Sequence, residues 1–251
     1  MILVTGATGN VGSAAVDWLV GRSLPVRAGF RDLGRNRWGQ RVDAVPFDWN
    51  DDSTWMQILA GIEAIVLVRP PAVAEVETTL NRFVTLAARC GCRRIVFLSV
   101  FGVDSKKWVP HRKVEEHIRR SGLSWTFLRA GFFSQNTLDS YLHDIREGFV
   151  KVPAGAGKVA WVDARDLGEA AVRVLQDEIW SQRTPVLTGP DAIDFPEICR
   201  ILSEESGREV VYRPCSAIGY FLHLKFRHGL PAIQCLVQTV LHVGLRSGEA
   251  A

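Results

Sequence analysis

Met1-Ile-Leu-Val-Thr-Gly-Ala-Thr-Gly-Asn-Val-Gly12 opens the chain, and no other stretch constrains its architecture as tightly. Ile2 to Val4 is a short apolar run, as in a strand buried on both faces. Gly6, Gly9 and Gly12 follow with G-x-x-G-x-x-G spacing, and Ser13-Ala-Ala-Val-Asp-Trp-Leu-Val20 then reads as a helix. A glycine triplet alone says little. One that leaves a strand and opens a helix stands in the context that dinucleotide binding requires. Gly6 permits the tight turn, Gly9 lets the backbone approach a pyrophosphate, and Gly12 lets helix pack on strand. The N–H groups at the helix start then face an anion. Gly6, Thr8, Gly9, Asn10, Val11 and Gly12 are therefore the candidates to hold the cofactor's phosphates.

Downstream, strand-like and helix-like segments alternate. Pro25 to Phe30, Ala44 to Phe47, Ala64 to Val68, Ile95 to Leu98 and Trp125 to Leu128 read as strands. Between them lie helices led by Asp52-Ser53 as N-cap, over Thr78 to Arg89, and from Pro110 to Arg120. This pattern predicts an α/β protein with a Rossmann-type, doubly wound parallel sheet. Residues 1–130 form the NAD(P)-binding domain in this reading, and 131–251 a smaller substrate-side lobe interleaved with the sheet edge. Within that lobe Asp166 is expected to cap a helix through Leu175. Further helices are read from Phe195 to Glu205 and from Ile218 to Leu245, the last broken at Gly229-Leu-Pro231.

Composition narrows the class. Hydrophobic residues make up 47% and charged residues 23% of 251 residues, an ordinary globular balance. A net charge of +3 with scattered basic residues argues against a nucleic-acid partner. The five cysteines are odd in number and irregular in spacing, which excludes a disulfide framework. Cys90-Gly-Cys92 lacks a second ligand pair, so no metal site is expected. A strand starting at Met1 leaves no room for a leader, and no apolar stretch approaches a membrane span. The expectation is a cytoplasmic protein acting on a small molecule, with an oligomer or a protein partner left open.

Cofactor choice is read at the end of the second strand, Ala28-Gly-Phe-Arg31-Asp32. An acidic residue there bonds the ribose hydroxyl of NAD, whereas an arginine accommodates the 2′-phosphate of NADP. Arg31 favours NADP; Asp32 keeps NAD open. Asp48, after the third strand, either accepts from the adenine amino group or closes a loop Asx-turn. On the helix from Pro110, His111 shares the apolar face of Val114 and Ile118, and Lys113 lies about 200° away. His111 is thus the better candidate for a polar group inside the site, hydrogen-bonding substrate when neutral or donating a proton when charged. Tyr141, Tyr212 and Tyr220 are each followed four residues on by something other than lysine, so no Tyr-x-x-x-Lys device exists.

Thr5-Gly-Ala-Thr-Gly-Asn-Val-Gly12, Ile95-Val-Phe-Leu-Ser99, Ser121-Gly-Leu-Ser-Trp-Thr-Phe-Leu-Arg129, Gly131-Phe-Phe133 with Asn136, Val162-Asp-Ala-Arg-Asp166 and Leu187-Thr-Gly-Pro190 occur in this order. As a set they resemble the NmrA-like, atypical branch of the short-chain dehydrogenase/reductase superfamily. That resemblance implies a nicotinamide reaching past Val68, Arg69 and Ser99, with Phe132, Phe133 and Asn136 on the substrate side. It also implies a catalytic role at His111, where the quinone reductases of the family carry histidine and isoflavone reductase-like members lysine, which leaves Lys113 as the lesser candidate. Arg69 departs from the small or apolar residue common there. It is expected to clamp a phosphate or substrate, or to pair with Glu75 or Glu77. Members tend to continue for some tens of residues past Arg246-Ser-Gly-Glu-Ala250, so a more open substrate side or a weaker small lobe is expected here. The activity implied is hydride transfer from NAD(P)H to a small polarised acceptor such as a quinone, enone or iminium. The alternative is a non-catalytic NAD(P) sensor that binds a protein partner; the family includes NmrA itself, a dinucleotide-sensing regulator without evident catalysis.

Overall fold

The computed structural model describes residues 1–71, 73, 75–105 and 109–247, so the terminal stretch beyond Ser247 lies outside the described residues. The strands are β1 (Ile2–Val4), β2 (Val26–Phe30), β3 (Asp43–Pro46), β4 (Ala64–Val68), β5 (Arg94–Val100), β6 (Ser124–Ala130), β7 (Phe149–Val150), β8 (Val159–Ala160), β9 (Val186–Leu187), β10 (Ala192–Ile193) and β11 (Val211–Tyr212). The helices are α1 (Asn10–Gly21), α2 (Trp55–Leu59), α3 (Arg82–Arg89), α4 (Pro110–Arg120), α5 (Asn136–Asp139), α6 (Leu142–Arg146), α7 (Ala164–Gln176), α8 (Phe195–Ser206), α9 (Ala217–Phe226) and α10 (Ala232–Gly244).

Seven strands form one sheet in the order β3-β2-β1-β4-β5-β6-β9, every pair parallel. The first six follow the dinucleotide-binding order, which reverses direction at β1 and opens a crevice beyond the carboxyl ends of β1 and β4. Parallel strands covered on both faces need apolar residues throughout. The run Ile65, Val66 and Leu67 is buried on β4, as is Ile95, Val96 and Phe97 on β5.

The chain divides into two compact units. The first is Met1–Ala130 with Asp163–Leu187, the second Gly131–Val162 with Thr188–Ala251. The first holds two apolar cores. One, built on Phe47, Trp49, Trp55, Phe83, Phe97 and Phe127, takes in α2, α3 and α4. The other, built on Val4, Leu19, Phe30, Val66 and Leu128, takes in α1 and α7. Residues 163–187, read from sequence as part of the smaller lobe, thus join the sheet unit. The reason is local: Ala171, Val172, Val174 and Leu175 give α7 an apolar stripe that packs with α1 residues, and β9 pairs with β6. The second unit has its own core around Tyr141, Phe195, Tyr220 and Cys235.

Element boundaries differ from expectation where two acids compete to cap. Asp51, not Asp52-Ser53, accepts from the Ser53 N–H ahead of α2. Asp163, not Asp166, accepts from the Arg165 N–H and starts α7 three residues earlier. The segment before α3 begins as a wide π turn over Glu77–Asn81. Among the described residues no helix is long and apolar enough to cross a membrane.

Candidate functional site

The glycine turn is fixed by backbone sterics. Gly6 has φ +66°, a left-handed value that costs most side chains about 1 kcal/mol or more. A Cβ on Gly12 would lie 2.2 Å from the Gly6 carbonyl oxygen and 2.9 Å from that of Thr5, so the helix start presses on the turn itself. That refines the expected role of Gly12: what it admits is the turn's own backbone. A Cβ on Gly9 would meet only the Gly6 oxygen within 4 Å, at 3.4 Å. The side of the turn that a pyrophosphate must approach is therefore open at Gly9. Gly9 is also the N-cap of α1, which has no side-chain cap and no acid in its first turn. First-turn N–H groups have no intrahelical acceptor, and the helix dipole favours negative charge there. Thr5 adds a staple that sequence reading missed. Its buried hydroxyl donates to the Val68 carbonyl at 3.1 Å and accepts from the Val68 N–H at 2.8 Å, locking the carboxyl ends of β1 and β4 together. Val68 in turn abuts Gly6, its Cβ 3.3 Å from where a Gly6 Cβ would stand. These features fit a dinucleotide phosphate.

Arg31 follows β2 and is exposed. Asp32, the residue that kept NAD open, turns back on its own loop and accepts from the Gly34 N–H at 2.9 Å. Asp48 closes an Asx-turn, its Oδ1 accepting from the Asn50 N–H at 2.9 Å, and its backbone is bonded to Thr54 and Trp55.

At the carboxyl end of the sheet, past β4 and β5, α4 turns two polar residues inward. Its stripe is His111, Val114, Glu115 and Ile118, with the last three buried. Arg69, after β4, donates from Nε to His111 Nε2 at 3.3 Å and from Nη1 to the carbonyls of Pro70, Pro71 and Val73. It pairs with these loop carbonyls in place of the expected Glu75 or Glu77; Glu77 takes Lys113 instead, at 2.8 Å on the surface. Lys113 is thus turned away from His111. An arginine stays charged and can only donate, so His111 Nε2 accepts and the ring proton sits on Nδ1. Nδ1 is buried and has no partner among the described residues. Burial first, and the Arg69 charge second, push the His111 pKa down to about 3. The charged, proton-donating form considered from sequence is therefore disfavoured, and the neutral ring, packed near Phe97 with centroids 5.8 Å apart, is the form present.

Ser99, at the carboxyl end of β5, is 1% exposed, and its hydroxyl donates to Glu115 Oε1 at 2.6 Å. Glu115, also 1% exposed, accepts from Arg129 Nε at 3.1 Å and Nη2 at 2.8 Å, and from Arg119 at 3.1 Å. Arg129 reaches on to both oxygens of Asp104. Sequence reading gave Glu115 and Arg129 no role in the site. The available signal was position: Glu115 lies four residues after His111, on the same helical face. In the second unit, Phe132 packs edge-on against Trp161 and His242, each at 5.9 Å between centroids. Phe133 bridges Val162 through the backbone, and Asn136 opens α5 with its N–H donating to the Phe133 carbonyl at 3.0 Å.

The NmrA-like family matches residues 1–234. Prestalk A differentiation protein A of Dictyostelium discoideum is 34% identical over 215 residues, 83% of this chain and 70% of that protein. An NAD(P)H azoreductase of Xenophilus azovorans is 33% identical over 221 residues, 84% of this chain and 76% of its own. Among solved structures, the NADPH-dependent quinone oxidoreductase QOR2 of Escherichia coli, complexed with NADPH, superposes with a TM-score of 0.88 at 25% identity, covering 100% of this chain and 91% of that one. Fold, glycine turn and relatives agree, and the chain belongs to the NmrA-like family.

Proposed function

We propose that the chain passes a hydride from NAD(P)H to a small electron-poor acceptor, a quinone or enone before an iminium. That it is an NAD(P)H-dependent oxidoreductase follows from its relatives, which include an NAD(P)H azoreductase and an NADPH-bound quinone oxidoreductase. The acceptor class rests on one observation, the neutral His111 held by Arg69.

The reasoning is chemical. The cofactor, when bound, supplies the hydride. Gly6, Gly9 and Gly12 shape the turn that takes its phosphates, the first turn of α1 offers N–H donors, and Arg31 is the proposed partner of a 2′-phosphate. Conventional relatives drive carbonyl reduction with a tyrosine acid and a lysine, a device this sequence lacks. With its pKa pushed down to about 3, the charged form of His111 is too strong an acid to be populated near neutrality, so a forced protonation is not on offer. A quinone or enone needs none at the hydride step, because the developing oxyanion is delocalised. The neutral Nδ1–H can donate a hydrogen bond to that oxygen as charge grows, and protons are taken from solvent afterwards. Arg69 fixes the tautomer by donating to Nε2. Glu115, Arg129 and Ser99 hold the strand ends and α4 in register without touching the acceptor.

Incubating the chain with NADPH and a panel of quinones, enones and iminium compounds, and following nicotinamide absorbance, tests the reading. Quinones and enones should turn over fastest. Tight NADPH binding with no turnover of any acceptor would replace it with the sensor reading.

A further inference from the structure

We propose that the second unit carries a binding site for a divalent transition-metal ion, Zn²⁺ foremost, formed by Asp144, His223 and His228. Asp144 lies on α6, His223 on the last turns of α9, and His228 in the connection that leads to α10. His223 Nε2 is 3.0 and 2.8 Å from the two carboxylate oxygens of Asp144, and His228 Nε2 is 3.0 Å from Oδ1. The ligand atoms of all three lie within 4.8 Å of one another. The two imidazole rings are 4.9 Å apart and nearly edge to face, so both Nε2 atoms aim at one point from different directions.

Three features favour an ion over a simple hydrogen-bonded triad. First, the donor set is mixed. Two imidazoles and one carboxylate suit Zn²⁺ and its first-row neighbours and do not suit Ca²⁺ or Mg²⁺. Second, the carboxylate is short of positive charge. Asp144 is 2% exposed, and its ion-pair partners among the described residues are the two imidazoles alone. Arg227, next to His228 in sequence, is committed to Glu147. A buried carboxylate without a cation is costly, and a divalent ion supplies one. Third, the geometry needs little change. Zn²⁺ sits about 2.0–2.2 Å from such ligands, which puts tetrahedral ligand atoms about 3.4 Å apart. The imidazole–carboxylate separations need to widen by about half an ångström. Both imidazoles would bind through Nε2 with the ring proton moved to Nδ1. His228 also lines an open cavity of about 400 Å³ together with His143, Gln234 and Gln238. The fourth position is left to water from that cavity, so the site has three protein ligands and an exchangeable one.

The consequence is a clamp. The ion ties α6 to α9 and to the turn before α10, joining segments 79 and 84 residues apart. Sequence reading weighed Cys90-Gly-Cys92 and expected no metal centre; it did not find this cluster, in which Asp144 stands far from the histidines and the pair is spaced five apart, off the usual four-residue helical spacing.

The test uses the full chain, stripped with a chelator and dialysed, and Co²⁺ as a visible probe. The expected result is one Co²⁺ per chain, visible d–d absorption without the near-ultraviolet charge transfer of thiolate ligands, displacement by Zn²⁺, and a Zn²⁺-dependent rise in melting temperature. His228→Gln keeps a donor for Asp144 and removes a ligand. It should fold with an unchanged circular-dichroism spectrum, lose the Co²⁺ bands and bind Zn²⁺ at least tenfold more weakly. Asp144→Asn should behave alike if it folds; the His228→Gln result decides if it does not. Thiolate bands, a Co²⁺ spectrum indifferent to His228→Gln, or no Co²⁺ or Zn²⁺ binding by the unaltered chain would each overturn the proposal.

Discussion

The glycine turn and the polar cluster around α4 stand at opposite ends of the first unit's logic. The turn is made by backbone: a left-handed Gly6, a carbonyl packed where a Gly12 Cβ would be, and N–H groups at a helix start. The cluster is made by side chains: Arg69 with His111, and Ser99, Glu115, Arg129 and Asp104 in one chain of bonds. The turn tolerates almost no change at Gly6 or Gly12, and its distant tie is the Thr5–Val68 staple. The cluster tolerates no missing partner at its centre, because Glu115 and Arg129 are buried against each other. Binding of the cofactor should therefore fail by steric intrusion, and the α4 region by loss of charge balance.

The largest effect is expected at Gly12. Gly12→Ala places a methyl 2.2 Å from a backbone oxygen that cannot swing aside. The cost should be about 4 kcal/mol or more, with NADPH binding below detection. Gly9→Val separates binding from folding, since its side chain projects past a single oxygen at 3.4 Å. It should melt near the unaltered chain yet lose NADPH, read by nicotinamide fluorescence titration. Retained affinity in either variant would overturn the phosphate assignment.

Glu115→Ala comes next. It leaves the Ser99 hydroxyl without its acceptor and Arg129 with Asp104 alone, and removing one partner of a buried pair costs about 3–5 kcal/mol. Urea unfolding reads the loss directly. A change below about 1 kcal/mol would mean the network is as solvent-screened as a surface pair, and the contrast with the turn would vanish.

The same contrast explains what could be read from sequence. Strands β1, β4 and β5 announce themselves as apolar runs, and the turn as glycine spacing, because their causes are local. Glu115 does not. Among Arg112, Lys113, Glu116 and Arg119 it looks like one more surface charge, and only the approach of Arg129, 14 residues on, buries it. Arg69 finds His111 across 42 residues. In the second unit β7 and β10 are two residues long and carry no period at all. Competing caps, as with Asp51 against Asp52, moved boundaries because either acid satisfies the same helix start.

His111→Ala should lower kcat about ten- to a hundredfold, the worth of one hydrogen bond to a developing oxyanion, and leave NADPH affinity within about twofold. Unchanged turnover would reduce His111 to a packing residue. The pH dependence follows from its pKa near 3 in the folded chain against 6.5 for an ordinary histidine. The unfolded chain takes up the proton below about pH 6.5 and the folded chain does not. Stability should thus be flat in this respect above that pH and fall as pH drops from about 6.5 toward 3. His111→Gln should make that fall shallower, and kcat should show no inflexion near 6.5 owing to His111.

Arg31 carries the smallest expected effect, because it works in solvent. Its side chain is exposed after β2. An exposed charge opposite a phosphate is worth about 1 kcal/mol at moderate salt, and the attraction is screened as salt rises. Arg31→Glu both removes that attraction and adds repulsion, so the ratio of NADPH to NADH affinity should fall about tenfold or somewhat more. NADH binding itself should change little, because the turn that takes its pyrophosphate is untouched. Asp32 does not compensate toward NAD, since its carboxylate is engaged with the Gly34 N–H. Titrating both cofactors at two salt concentrations decides the point. Equal losses for the two would show that Arg31 shapes the strand end and does not read the 2′-phosphate. A selectivity that persists at high salt would show that a buried contact, as in the α4 cluster, does the reading instead.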